Sequence, residues 1–103
     1  MISLTIVDDE PKARDTIRNI LELSSLDIKI TAEAGSVGEA FDAISENQPE
    51  LLLLDINLPD GSGFDLLRKF EKIPFKVIFI TAFEEYAVRA FRYSALDYIM
   101  KPV

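Results

Sequence analysis

Residues 51–63 read Leu51-Leu52-Leu53-Leu54-Asp55-Ile56-Asn57-Leu58-Pro59-Asp60-Gly61-Ser62-Gly63, and the first five of them decide the fold. Four consecutive apolar residues that stop on an acid suit a short central strand of a parallel sheet, covered by helices on both faces, so that neither side calls for polar residues. The run Val77-Ile78-Phe79-Ile80 has the same character and stops on Thr81. Outward from this pair the pattern repeats toward both ends of the chain. An apolar run over 2–7 ends on Asp8-Asp9, and in residues 28–34 the side chains of Ile28, Ile30, Ala32 and Ala34 alternate with polar ones, as in a half-covered edge strand. Residues 97–101 supply a fifth candidate strand.

Helical spacing fills the gaps between these runs. Asp9 precedes Glu10-Pro11, where a first helical turn tolerates proline, and Ala13, Ile17, Ile20 and Leu21 follow at helical intervals. Ser36-Val37-Gly38-Glu39 is a capping-box pattern ahead of Ala40, Phe41 and Ile44. Phe64, Leu67 and Phe70 form a stripe after Asp60-Gly61-Ser62-Gly63, and Ala87, Ala90 and Phe91 face inward from a fourth helix over 84–93. Strict alternation of strand and helix predicts an α/β fold with one doubly wound parallel sheet, because each parallel crossover needs a helix and is right-handed. No fifth helix follows the last strand. Leu4, Ile6, Ile99 and Val103 are therefore expected to lie open, favouring a homodimer or an exchange of elements between chains.

At 103 residues the chain has room for one domain, taken as 1–103. Its 11 basic and 18 acidic side chains give a net charge of −7, a field that repels nucleic-acid backbones and anionic lipid. Histidine and cysteine are both absent, which removes thiol nucleophiles, disulfides and imidazole chemistry. The apolar opening breaks at Asp8, too early for a signal segment or a membrane span, so a cytoplasmic location is expected.

Ligands of open parallel sheets bind beyond the carboxyl ends of the strands. Here those ends carry Asp8-Asp9, Asp55, Thr81 and Lys101. Singly, each has an ordinary reading as a helix-start acid, a turn residue, a strand threonine or a solvated lysine. Together, three carboxylates at one rim repel each other unless a cation sits among them, and a hard divalent ion such as Mg²⁺ suits an all-oxygen donor set. A carboxylate nucleophile beside a cation, a lysine and a hydroxyl describes an aspartyl-phosphate site, with Asp55, Thr81 and Lys101 as its reacting and contacting groups.

At these residues the sequence resembles the receiver domain of bacterial two-component response regulators. The resemblance runs from Leu4 to the last residue and rests on Val7-Asp8-Asp9-Glu10, on Leu54-Asp55 through Gly63, on Thr81-Ala82, and on Tyr98-Ile99-Met100-Lys101-Pro102. Residues 80–91 and 95–102 further resemble the subgroup whose receivers precede LytTR-type DNA-binding domains. The resemblance implies the flavodoxin-like strand order 2-1-3-4-5. It implies Asp55 as phosphoacceptor, Asp9 and Asp55 as direct carboxylate ligands of Mg²⁺, Asp8 as a ligand through water, and Asn57 as a ligand through its carbonyl. Thr81 and Lys101 would contact the phosphoryl oxygens, Thr81 and Tyr98 would form the moving switch, and Asn57 and Phe83 would stand at the mouth of the site. A cis Lys101-Pro102 bond, a sensor histidine kinase as phosphodonor, and an effector domain that touches DNA outside this chain complete the expectation. The family's fifth helix is missing, as though the chain were trimmed.

Rival readings come from other classes. An apolar strand before Asp-x-Asn-x-x-Asp-Gly also resembles the first motif of haloacid-dehalogenase-type phosphatases, although that family wants a second aspartate where Asn57 stands. A flavodoxin-like cofactor module would cradle phosphate with the first loop, which here is Asp8-Asp9-Glu10-Pro11 and repels it. A receiver-like interaction module without phosphorylation would not need every one of these chemical residues.

Overall fold

The computed structural model describes residues 1–82, 84–86, 95 and 97–101. Phe83, Val103 and the Lys101-Pro102 bond lie outside the described residues. Of the fourth helix expected over 84–93, only the 3-10 turn Glu84–Tyr86 lies within them.

Strands β1 (Ile2–Val7), β2 (Ile28–Ala34) and β3 (Leu51–Leu54) alternate with helices α1 (Pro11–Leu23) and α2 (Val37–Glu46). Two short strands follow, β4 (Asn57–Leu58) and β5 (Gly61–Ser62), then helix α3 (Gly63–Arg68) and strands β6 (Lys76–Thr81) and β7 (Asp97–Met100). The main sheet has the order β2-β1-β3-β6-β7, and all its pairings are parallel. Strands β4 and β5 pair only with each other, antiparallel. With that small hairpin set aside, the order is the expected 2-1-3-4-5.

The unbroken apolar runs of β3 and β6 are divided between two cores. Leu52, Leu54, Val77 and Phe79 face α2 and α3, meeting Val37, Ala40, Ile44, Phe64, Leu66 and Leu67. On the opposite face Leu53 and Ile80 join Leu4, Ile6 and Ile17 of α1. Burying each such side chain stabilises the fold by about 1.5–3 kcal/mol. Phe64 is fully buried, its ring 5.2 Å from that of Phe79.

Leu4 and Ile6, expected to lie open, are completely buried. They belong to β1, which sits between β2 and β3 with α1 across it, and these neighbours cover them. Ile99 is half-buried against the same core. What does stay open on this face is a groove of about 610 Å³ beside α1, lined by Ala13, Thr16, Ile17, Ile80 and Ala82.

Ile20 is 44% exposed, since only Ile17 and the neighbouring turn of α1 press on the sheet. The alternation expected along β2 also breaks. Leu4 pairs with Ile30 but Thr5 with Ala32, so Thr31 is an extra residue in a bulge. Ile28 and Ile30 therefore serve the α1 core, while Ala34 serves the other. Glu33 comes round to α1 and takes a two-pronged contact from Arg18, at 2.7 and 3.1 Å.

Helix starts follow the sequence closely at one site and less so elsewhere. Ser36 Oγ accepts from Glu39 N at 3.1 Å, as a capping residue does, but the Glu39 carboxylate turns to Gly35 N instead of to Ser36. The complete reciprocal box is at α3, between Ser62 and Asp65. At α1 the capping position is Glu10 and not Asp9, with no side-chain bond, and Pro11 opens the helix. Helix α3 ends at Arg68, leaving Phe70 beyond it but packed on the core, its ring 5.3 Å from Phe41.

Candidate functional site

Sheet register assembles the site before any side chain does. Val7 lies beside Leu54, and Leu54 beside Phe79, so Asp8 and Asp55, each one residue further, emerge next to one another at the same rim. Their backbones are tied in place: Asp8 N donates to Ala34 O at 3.0 Å, and Asp55 N to Val7 O at 2.9 Å. Thr81 ends β6 on the adjoining strand, and its carbonyl accepts from Lys101 N at 2.9 Å, which swings the lysine back over the rim.

Lys101 closes the arrangement. Its Nζ stands 2.7 Å from Asp8 Oδ2 and 3.0 Å from Asp55 Oδ2, with Glu10 Oε1 at 3.4 Å. Both aspartates are nearly sealed from solvent, at 2% and 6% exposure. Burial opposes the charge on Lys101, yet its hydrogen bonds to Asp8 and Asp55 outweigh that and hold its pKa above the ordinary lysine value. Burial pushes the Asp8 carboxyl up; Lys101 and the Glu10 amide, 2.9 Å from Oδ1, pull it back, while the Asp55 charge adds to the rise. Asp55 Oδ1 accepts from Ile56 N at 2.7 Å.

The Lys101 ammonium is the further positive charge expected beside the carboxylates. One carboxylate oxygen from each of Asp8, Asp9 and Glu10 lies within 4.8 Å of the other two. This all-oxygen set, one carboxylate buried and two exposed, is of the kind a hard divalent ion such as Mg²⁺ takes, and Lys101 beside Asp8 already balances part of its charge. Asp9 is exposed, Asp8 buried, and Asn57 sits exposed at the start of β4, two residues after Asp55.

Thr81 is fully buried at the end of β6. Tyr98 lies on β7 opposite Phe79, the rings 6.0 Å apart, and is half-buried against the core. Burial raises its phenol pKa, the Glu85 and Asp55 charges add to this, and a bond to the Tyr86 backbone lowers it. Phe83, expected at the mouth, lies outside the described residues.

Two participants escaped the sequence reading. Glu10 reaches Lys101 from across the rim, although its place before Pro11 suggests only a helix start. Arg14, one helical turn further along α1, donates its guanidinium to the Asp8 carbonyl and pairs with Glu33 at 3.5 Å. The four-residue step from Glu10 to Arg14 was the only local signal that both face the same rim.

Comparison with known proteins gives one consistent result. The sequence pattern of the response regulator receiver domain matches residues 4–103. The chain is 38% identical over 104 residues to the sensory transduction protein LytT of Bacillus anthracis, covering 99% of this chain and 42% of that protein. It is 41% identical over 105 residues to the transcriptional regulatory protein BtsR of Escherichia coli, covering 100% and 43%. Among solved structures, the response regulatory domain of mrkE from Klebsiella pneumoniae superposes with a TM-score of 0.89 at 29% identity, over 99% of this chain and 84% of that one. A CheY-like receiver domain protein from Methanospirillum hungatei gives 0.83 at 34% identity, over 100% and 83%. The chain spans a little over two-fifths of the curated relatives it matches, at 42–43% of their length.

Proposed function

This chain belongs to the response regulator receiver domain family, and from that premise we propose that it accepts a phosphoryl group on Asp55 from a histidine kinase, in a Mg²⁺-dependent reaction, and answers with a change of surface. The observation that carries the proposal is the position of Lys101 Nζ, within 3.0 Å of Asp55 and 2.7 Å of Asp8 at the C-terminal rim of the sheet.

In the transfer, a carboxylate oxygen of Asp55 forms a bond to phosphorus as the bond from phosphorus to the donor's imidazole nitrogen breaks, and the electron pair stays on that nitrogen. The donor comes from another protein, since this chain has no histidine. Asp8, Asp9, Asp55 and the Asn57 carbonyl would hold Mg²⁺, with Glu10 close by; when bound, the ion supplies positive charge to the phosphoryl oxygens. Lys101 keeps its charge against Asp55 before transfer and is placed to follow the phosphoryl oxygens after it. The Ile56 amide orients the Asp55 carboxylate. Thr81, one strand over, is the hydroxyl that would turn to the phosphoryl group, and Tyr98 the aromatic side chain that would follow it inward, converting a local charge into a surface change.

The likenesses to a sensory transduction protein, LytT, and a transcriptional regulatory protein, BtsR, support extending the reading to a sensor–regulator pathway whose output is control of transcription, through an effector unit outside these residues. Among the described residues no helix is long and apolar enough to cross a membrane. Self-association loses the support expected from Leu4 and Ile6, because both are buried.

The test is phosphorylation by a small acyl phosphate. Wild type should gain the mass of one phosphoryl group only when Mg²⁺ is present, and Asp55→Asn should gain none. Labelling that survives in Asp55→Asn would reject the assignment. Sustained turnover of a generic phosphate ester would favour the phosphatase reading instead.

A further inference from the structure

The β4–β5 hairpin, which carries Asn57 at its start, is too short to hold its own shape. It contains only the pairs Asn57–Ser62 and Leu58–Gly61, and even full two-stranded hairpins are marginal in water. Its base is well fixed: Leu58 is buried, Gly63 N donates to Ile56 O at 2.7 Å, and Ser62 and Asp65 cap α3 reciprocally. Its tip is fixed by one side chain. Asp60 Oδ1 accepts from Val37 N at 2.7 Å, and Asp60 Oδ2 from Gly38 N at 3.0 Å, 23 and 22 residues away in sequence.

Those amides are the first two of α2. The next two are served locally, Glu39 N by Ser36 Oγ at 3.1 Å and Ala40 N by Ser36 O at 3.0 Å. Ala40 N thus makes the first regular helical bond, and of the three helix amides before it that have no helical partner, Asp60 takes two and the Ser36 side chain one. The two bonds hold the Asp60 carboxyl below the usual carboxylate range, so it stays charged against the positive end of the helix.

We propose that Asp60 is a positioning residue for the phosphoryl site: by gripping the start of α2 it holds the hairpin, and with it the Asn57 carbonyl, in the place that Mg²⁺ requires. The proposal rests on the reading of Asp55 as phosphoacceptor beside a Mg²⁺ site. Residues that orient the ligands of an ion commonly change its affinity strongly without touching it. Asp60 belongs to this class, whereas the Ser36 side chain caps the same helix through the local Glu39 amide.

Comparing the two caps separates positioning from plain stability. Mg²⁺ alone is titrated into the unphosphorylated protein and followed by calorimetry, and melting temperatures are recorded for every variant. Asp60→Ala should weaken Mg²⁺ by about tenfold, while Ser36→Ala, which also removes a cap of α2, should leave the affinity at the wild-type value. Asp60→Asn, which keeps one acceptor oxygen, should fall between and serves in place of Asp60→Ala if that protein does not fold. Wild-type affinity in both Asp60 variants, or equal weakening by Ser36→Ala at a similar loss of melting temperature, would overturn the proposal while leaving phosphorylation of Asp55 intact. Failure of the wild type itself to bind Mg²⁺ would instead remove the reading beneath it.

Discussion

The α-carbon of Gly63 lies so close to the backbone of Asp55 that a β-carbon built on it would stand 2.6 Å from the Asp55 carbonyl oxygen and 3.0 Å from the Leu54 side chain. The first residue of α3 is thus packed directly under Asp55, and its amide bonds to Ile56 O at 2.7 Å. Glycine is needed here for space, since its backbone conformation is ordinary. Gly61 is different: its φ of 154° is one that side chains avoid, and it sets the hairpin's turn into β5.

Gly63→Ala should cost about 1–3 kcal/mol, because the atom struck is backbone and cannot rotate away. The displaced atom belongs to Asp55, so the rate of acyl-phosphate labelling should fall as well. Gly38→Ala is the contrasting case. A β-carbon there meets only Asp60 Oδ2 at 3.6 Å, an ordinary contact inside a helix, and the change should stabilise by about 0.4–1 kcal/mol. Urea unfolding of both variants checks the pair; equal effects of the same sign would refute the packing argument.

Thr5 is fully buried in β1, and its Oγ1 has no hydrogen-bond partner among the described residues. Thr5→Val keeps the branched shape and removes the unsatisfied hydroxyl. Stability should rise by about 1 kcal/mol, read as a higher urea midpoint with an unchanged slope. A lower midpoint would mean that the hydroxyl is satisfied in solution.

Removing Lys101 leaves Asp8 and Asp55 facing each other without their counter-charge. In Lys101→Met the melting temperature should drop in metal-free buffer, and millimolar Mg²⁺ should raise it by more than it raises that of wild type, since the ion then relieves the whole repulsion. Labelling by acyl phosphate should be slow even with Mg²⁺ present. A Mg²⁺-induced shift no larger than the wild-type one would show that Lys101 does not compensate these carboxylates.

Asp60 and Asp65 have carboxyl groups whose pKa values lie below the unfolded value of 3.8, Asp60 through the Val37 and Gly38 amides and Asp65 chiefly through the Ser62 amide. A depressed acid stabilises the fold above its unfolded pKa, and that contribution disappears as pH falls through the folded pKa. Stability should therefore decline below about pH 4, and the decline should be shallower in Asp60→Asn, which has already lost the charged form. Unfolding free energies measured from neutral to acid pH would decide; parallel curves for wild type and variant would contradict the assignment.

Much of this architecture was legible in the chain because it is local. Leu51–Leu54 and the run after Lys76 announced central strands, Ser36 announced the start of α2, and the acids and lysine at the strand ends announced a rim of chemistry. Periodicity extends over a few residues, and a polar residue that stops an apolar run is visible without knowing its neighbours in space.

What tertiary structure decided was who meets whom. Lys101 reaches Asp55 across 46 positions and Glu10 across 91, and Asp60 reaches α2 across 22 and 23. The bulge at Thr31 shifts the strand's alternation because Ile30 and Ala32 answer to adjacent residues of β1, a matter of register that no single strand encodes. Leu4 and Ile6 are covered because β1 is central and α1 crosses it, so a count of helices misjudged them. Local sequence determined the elements and the chemical inventory of their ends; the paired sheet and its crossovers determined distance, burial and charge partner, because those depend on residues that come together only after the chain has folded.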